Sequence, residues 1–180
     1  MLKWLKSVLS SVRKHKLDRL QFELATNDDF ECIFNQIIQS AKEGHFNPIL
    51  VMPAAHEGLK YQLQTTINEG WCYVNQYEMK LSHIFVKRNV NGQLVGFSWV
   101  TKAENVYELY LLAVDKQHRR QGIASGLLCD FLKFVSIGDV VYARLYSVST
   151  VMKNILIENG FNITQSKAKD TIRLEFTKRN

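Results

Sequence analysis

Apolar residues recur first at helical spacing and then at every second position along the chain, and these two patterns predict its helices and strands. "FECIFNQIIQSAKEG" has helical spacing after the helix-starting acceptors Asn27 to Asp29, and a second helix is expected over 54–69, closed by Gly70. Farther on, "MKLSHIFVKR" and "QLVGFSWVTK" alternate as strands do and flank the hairpin signal Asn91-Gly92. "VYELYLLAVD" is more apolar, which predicts a central third strand.

The remaining segments complete a mixed pattern. "LQFELAT" at 20–26 and "DVVYARLYSV" predict strands, 121–135 and 149–159 predict helices, and "FNITQSKAKDTIRLEFTKR" predicts a final hairpin. The order of elements predicts one α/β domain over 20–180. Its central sheet is mixed and largely antiparallel, with about six to seven strands and helices on both faces.

Residues 1–19 form a separate N-terminal extension. Leu2, Leu5, Leu9 and Val12 recur at helical spacing among lysines and arginines, which predicts a basic amphipathic helix. We favour packing of its apolar stripe on the protein's own domain. Contact with a membrane surface or with a partner protein is the alternative.

Composition and charge narrow the class of protein. A chain of 180 residues with 46% hydrophobic content fits one domain with a sizeable core. The net charge of +6 is compatible with an anionic ligand, but the basic residues form no nucleic-acid recognition motif, so no nucleic-acid partner is expected. Three widely spaced cysteines and the spacing of the histidines predict neither a disulfide framework nor a metal site. We therefore expect a soluble cytoplasmic protein.

The stretch "DKQHRRQGIASGLL" at 115–128 contains the clearest chemical signal. A strand ending at Asp115, a cationic turn and a helix opening near Gly122 make an anion site, because the first amides of a helix have no partner within it. Gly122 and Ala124 leave room for a phosphate, and Arg119 and Arg120 supply positive charge. The turn therefore suits a diphosphate.

The pattern Arg119-x-x-Gly122-x-Ala124 closely resembles the acetyl-coenzyme A signature of the GNAT superfamily of N-acetyltransferases, Gln/Arg-x-x-Gly-x-Gly/Ala. The order of elements and "IENGF" at 157–161 also resemble that family, so the likeness covers about 20–177. It implies that acetyl-coenzyme A is the cosubstrate and a primary amine the acceptor. The residues implied to bind acetyl-coenzyme A are Leu112, Ala113, Val114, Arg119, Arg120, Gln121, Gly122, Ile123, Ala124, Ser125 and Ser149.

The same resemblance implies a catalytic role for Glu108. Several family members carry a catalytic glutamate at this position, fourteen residues before Gly122. An alkylammonium with a pKa near 10.4 has to lose a proton before it attacks a thioester, so a positioned base helps. Leu109 and Leu111 suggest an apolar setting that raises the pKa of this carboxyl.

Two positions depart from the family pattern. Leu156 stands where many members have a tyrosine that protonates the leaving thiolate, and Ser149 replaces a frequent asparagine. Tyr142 and Tyr146 are candidate substitutes.

Three functions remain open: an N-acetyltransferase, which we prefer, a catalytically weak acetyl-coenzyme A sensor that regulates a partner protein, and a membrane or assembly factor acting through 1–19. No motif in the sequence specifies the acceptor or the oligomeric state.

Overall fold

A seven-stranded sheet forms the centre of the protein. The computed structural model describes residues 23–75, 78–164 and 170–179, so the predicted helix at 1–19 lies outside the described residues. The sheet has the order β1-β2-β3-β4-β5-β7-β6, and only β4 and β5 pair in parallel. The strands are β1 (Trp71–Asn75), β2 (Glu78–Arg88), β3 (Leu94–Ala103), β4 (Val106–Val114), β5 (Val140–Tyr146), β6 (Asn162–Thr164) and β7 (Thr171–Thr177).

Helices cover both faces of this sheet, which confirms the predicted fold class. They are α1 (Phe30–Lys42), α2 (Pro53–Glu69), α3 (Ile123–Phe134) and α4 (Thr150–Glu158). On one face, Ile37 of α1 and Leu63 of α2 belong to the same buried cluster as Trp99 of β3. On the other, Phe131 of α3 and Leu156 of α4 share a cluster with neighbouring strands. Complete burial of a leucine or phenylalanine side chain contributes about 1.5–3 kcal/mol, so these clusters hold the layers together.

Most predicted elements are present close to the expected bounds. Helix α1 starts after Asp29, whose carboxylate accepts hydrogen bonds from the Thr26 amide and hydroxyl. Helix α2 ends at Gly70, which has the left-handed φ of 75°. Strands β2 and β3 form the predicted antiparallel hairpin, and β4 lies at the centre of the sheet. These helix ends and this hairpin could be predicted from the sequence because each depends on residues that are adjacent in the chain.

Two details differ from the prediction. Strand β1 was not predicted, because its five residues are too few to show a clear alternation. The strand expected at 20–26 is reduced, in its described part, to a single bridge between Leu24 and Phe85. Strand β1 pairs only with the first four residues of β2, and the segment around Leu24 occupies the same edge farther along.

Candidate active site

The parallel strands β4 and β5 separate halfway along their length. Their pairing runs from Val106 opposite Val140 to Leu109 opposite Ala143 and then stops. At this point Tyr110 is an extra residue in β4, since Leu109 and Leu111 oppose consecutive residues of β3. Such a bulge bends a strand and increases its twist. The strands therefore diverge into a cleft of about 1210 Å³.

One end of the cleft is the turn between β4 and α3, which we call the cofactor end. The Asp115 carboxylate accepts a hydrogen bond from the Gln117 amide at 2.9 Å and fixes the start of the turn. Arg120 and Gly122 have left-handed φ angles of 62° and 76°. A Cβ on Gly122 would meet no atom within 4 Å, so the glycine is required by its backbone conformation and not by crowding.

The backbone amides of residues 119–125 are available at this end. Within the described part of the chain, none of them donates a hydrogen bond to a protein acceptor, and the helix ladder begins with the Gly126 amide bonding to Gly122 O at 2.9 Å. These residues are exposed or half-buried. Free amides at the start of α3 add to the partial positive charge of the helix dipole. The turn can therefore hold an anion.

The two arginines of the turn have different surroundings. Arg119 Nη2 donates to Glu43 Oε2 at 2.8 Å, and its Nε donates to Val114 O at 3.2 Å. A carboxylate from the end of α1 therefore already binds this guanidinium. Arg120 is exposed and has no partner among the described residues. Of the two arginines, Arg120 is therefore the one whose guanidinium is available to bind an anion.

The cleft brings together most of the residues predicted to bind acetyl-coenzyme A. Gln121 is the exception, because it is exposed in the turn and does not line the cleft. The predicted binding residues that do line it are Leu112, Ala113, Val114, Arg119, Arg120, Gly122, Ile123, Ala124, Ser125 and Ser149. Beyond Leu109, the edge of β4 that faces β5 has no strand paired to it in the described structure. A ligand with amide groups can therefore bond along this edge.

A short connection crosses the open end of the cleft. Residues 43–45, which we call the strap, follow α1. Glu43 bonds to Arg119 on the β4 side, and His45 Nδ1 lies 3.0 Å from Ser149 Oγ on the β5 side. The strap thus connects the segments that follow β4 and β5. Ser149 was a predicted site residue, but its pairing with His45 was not predicted, because the two are 104 residues apart.

Glu108 lies at the opposite end, which we call the acceptor end because the resemblance implies a catalytic role for Glu108. Its side chain lines the cleft and is 5% exposed. Tyr142 donates its hydroxyl to Oε2 at 2.6 Å, and Arg144 donates to Oε1 through Nη2 at 2.5 Å and Nε at 3.2 Å. Lys80 Nζ lies 3.8 Å from Oε2. The expected apolar setting is therefore wrong, because neighbouring strands place a guanidinium, an ammonium and a phenol around this carboxylate.

The ionisation of the neighbours follows from this arrangement. Burial, together with the hydrogen bond to Glu108, raises the pKa of Tyr142 well above its ordinary value. Burial alone would lower the pKa of Arg144, but its contacts with Glu108 outweigh that effect and raise it. Tyr142 thus remains a hydroxyl donor and Arg144 a cation at neutral pH. A tyrosine so held is poorly suited to give up its proton.

The position of the missing tyrosine is part of the core. Leu156 is 0% exposed and packs within the cluster beneath α3 and α4. Tyr146 of β5 lines the cleft and is the remaining phenol among the candidate substitutes. The geometry therefore leaves Leu156 without a chemical role.

Residues 80–158 match the family model described as the acetyltransferase (GNAT) domain. This segment therefore matches a GNAT acetyltransferase domain. The match confirms the resemblance to that family. The match covers α3 with the turn before it and both strands of the cleft. A search of the curated proteins found no sequence match.

Solved structures share the fold over most of their length. Ribosomal-protein-alanine N-acetyltransferase from Brucella melitensis is 16% identical with a TM-score of 0.65, and the match covers 87% of this chain and 98% of that protein. Phosphinothricin acetyltransferase from Sinorhizobium meliloti, solved with acetyl-coenzyme A, is 13% identical with a TM-score of 0.65, covering 88% of each chain. Spermidine N-acetyltransferase from Vibrio cholerae is 13% identical with a TM-score of 0.63, covering 87% and 94%. At these identities the likeness shows the GNAT fold alone.

Two kinds of feature are absent from the described residues. Over 23–75, 78–164 and 170–179, no three His, Cys, Asp or Glu side chains are grouped to hold a metal ion. In the same ranges, no helix is long and apolar enough to cross a membrane.

Proposed function

We propose that the protein is a cytoplasmic N-acetyltransferase that moves an acetyl group from acetyl-coenzyme A to a primary amine by direct attack. The activity resides in residues 20–180, with 1–19 as an N-terminal extension. The observation that carries the proposal is the row of free amides at 119–125, which lies in the same cleft as Glu108. The acetyltransferases of B. melitensis and V. cholerae, named for a protein alanine and for spermidine, support an amine as the acceptor.

The cofactor end fits acetyl-coenzyme A. The amides of 119–125 and the Arg120 guanidinium suit the diphosphate, since backbone donors and a cation converge on one exposed turn. The free edge of β4 at Leu112, Ala113 and Val114 suits the amides of the pantetheine arm, which can bond to it as a third strand would. A thioester carried by this arm reaches toward the acceptor end.

The acceptor end fits the deprotonation of an amine. Glu108 Oε2 accepts one hydrogen bond, from Tyr142, and so keeps a lone pair for an N–H of the acceptor. A base at this position removes the proton that an alkylammonium carries at neutral pH. The neutral nitrogen then attacks the thioester carbonyl, and an unpaired amide on the edge of β4 beyond Leu109 donates a hydrogen bond to the oxygen that becomes negative. Collapse of this intermediate breaks the C–S bond, and coenzyme A leaves as a thiolate that takes up the proton lost by the nitrogen. No covalent intermediate on the protein is needed.

Thermal unfolding with acetyl-coenzyme A tests the cofactor half of the proposal. A ligand at 100 times its Kd stabilises the native state by about 2.7 kcal/mol, so we expect a clear rise in Tm. Release of free thiol with a panel of amines tests the acetyl transfer. Absence of stabilisation at saturating ligand would overturn the proposal.

A second candidate function is an acetyl-coenzyme A sensor that controls a partner protein. The burial of Leu156 favours it, because the usual donor to the leaving thiolate is missing. A sensor would be stabilised by acetyl-coenzyme A yet would release no thiol with any amine. Thiol release with an amine would exclude it.

A further inference from the structure

We propose that the acceptor is a free α-amino acid, or a close analogue with a carboxylate beside its amine, and that its side chain is uncharged. This inference rests on the proposed N-acetyltransferase function and concerns the acceptor end of the same cleft. It depends on the pairing of Glu108 with Arg144 and on the walls around that pair.

Glu108 and Arg144 present opposite charges side by side. Arg144 Nη2 lies 2.5 Å from Glu108 Oε1, and both residues line the cleft. The Arg144 side chain remains 59% exposed, and its Nη1 has no partner among the described residues. An α-amino acid carries its amine and its carboxylate on one carbon, so it can place the amine at Glu108 and the carboxylate at Arg144. Guanidinium groups bind carboxylates through paired N–H donors.

The charged side chains around Glu108 favour the binding of a substrate that carries a negative charge. Lys80 and Arg144 both contact Glu108, so two cations face one buried carboxylate. Glu78 also contacts Lys80, at 3.3 Å, but its side chain is half exposed and therefore well screened by solvent. A substrate carboxylate adds the missing negative charge. A second ammonium group, as in a diamine, would instead be repelled by Arg144.

The opposite wall explains the preference for an uncharged side chain. Phe46, Leu50 and Leu59, from α2 and the segment before it, line the cleft together with Val74 of β1. All four contribute to the cluster beneath α1 and α2. A charged group placed against these four side chains would lose hydration without gaining a partner from them. An apolar side chain would instead bury surface there.

Matched acceptors test this inference on the unmodified protein. Leucine, leucinamide and 3-methylbutylamine share a side chain, but only leucine has the carboxylate, and phenylalanine, phenylalaninamide and phenethylamine form a second set. We expect kcat/KM for the amino acid to exceed both analogues at least about tenfold, as one charge-assisted hydrogen bond would produce. Equal or faster reaction of the analogues, or no acetylation of either amino acid, would overturn the inference. Stabilisation by acetyl-coenzyme A with turnover of other amines would still leave the proposed function standing.

Two variants test whether Arg144 binds the carboxylate of the substrate or only supports the structure of the site. In Arg144→Met, we expect kcat/KM to fall for every acceptor, because Arg144 also holds Glu108, but to fall at least about tenfold more for the amino acid than for its amine analogue. Arg173→Met is the matched control, because Arg173 packs over the Tyr142 ring and bonds to Glu175 without lining the cleft. It should keep the preference. An equal fall for all three acceptors in Arg144→Met, with stabilisation by acetyl-coenzyme A retained, would contradict the assignment of Arg144 to the carboxylate.

Discussion

The two ends of the cleft between β4 and β5 are built in different ways. The cofactor end consists mainly of backbone amides from one continuous turn, 119–125. The acceptor end consists of side chains from three strands, with Glu108 held by Tyr142, Arg144 and Lys80. Backbone donors depend on conformation and tolerate changes of side chain, whereas a cluster of ion pairs depends on the identity of each member. The difference predicts that mutations at the two ends will have separable effects.

Glu108→Gln should have the largest effect and should be confined to the acceptor end. We expect kcat/KM for the amine to fall about 100-fold or more, the range lost with a general base. The Kd for acetyl-coenzyme A should stay within about twofold, because the cofactor end does not contact this residue. Thiol release and calorimetric titration measure the two quantities.

Glu175→Gln provides the control for that variant. Glu175 is a carboxylate on β7 that bonds to Arg173 and does not line the cleft. It should leave the rate within about threefold of the unmodified protein, as expected for a pair with partly exposed partners. Equal rates in Glu108→Gln and Glu175→Gln would remove Glu108 as the base.

Gly122→Ala should have a smaller effect and should be confined to the cofactor end. Alanine is strained at a φ of 76° by about 1–2 kcal/mol, so the turn that presents the amides is less populated. We expect the Kd for acetyl-coenzyme A to rise roughly 5- to 20-fold. Since substrate contacts at Glu108 are unchanged, kcat at saturating acetyl-coenzyme A should change little.

Gly138→Ala is a closely matched control for strain. Gly138 has a φ of 87°, and a Cβ there also meets no atom within 4 Å, but it lies in the turn before β5 and does not line the cleft. The two variants should lose similar free energy of unfolding in urea. Only Gly122→Ala should weaken binding, and a similar Kd in both variants would show that the conformation of the turn does not matter to the ligand.

The contrast between the two ends also explains what could be deduced from the sequence. Arg119 to Ser125 are contiguous, and glycine, arginine and a helix start have local chemical meanings, so the turn was identified directly. Lys80, Tyr142 and Arg144 converge on Glu108 only through the strand order and register, which no short segment encodes. The pairing of Arg119 with Glu43 spans 76 residues and was missed for the same reason. Strand β1 was missed because five residues carry too little pattern.

Glu43→Gln should have the smallest effect, and it tests the strap. Glu43 holds the Arg119 guanidinium, so its neutralisation should free that cation for the diphosphate and lower the Kd for acetyl-coenzyme A about 2- to 4-fold at low salt. Hydrogen bonds from Gln39 and Arg119 lower the pKa of Glu43. The carboxylate is therefore charged throughout the neutral range, and the difference between the two proteins should vanish only as the pH falls through that lowered pKa.

Glu43 could compete with the ligand for Arg119, or it could position Arg119 for the ligand. A control variant and a series of salt concentrations distinguish these two roles. Glu57→Gln removes a carboxylate from an exposed pair with Lys60, outside the cleft, and should leave the Kd unchanged. The gain in Glu43→Gln should shrink as salt increases, because the interaction of two charges near the surface is screened. Weaker binding in Glu43→Gln would mean instead that the strap positions Arg119 for the ligand. The cofactor end would then share the dependence on side chains that distinguishes the acceptor end.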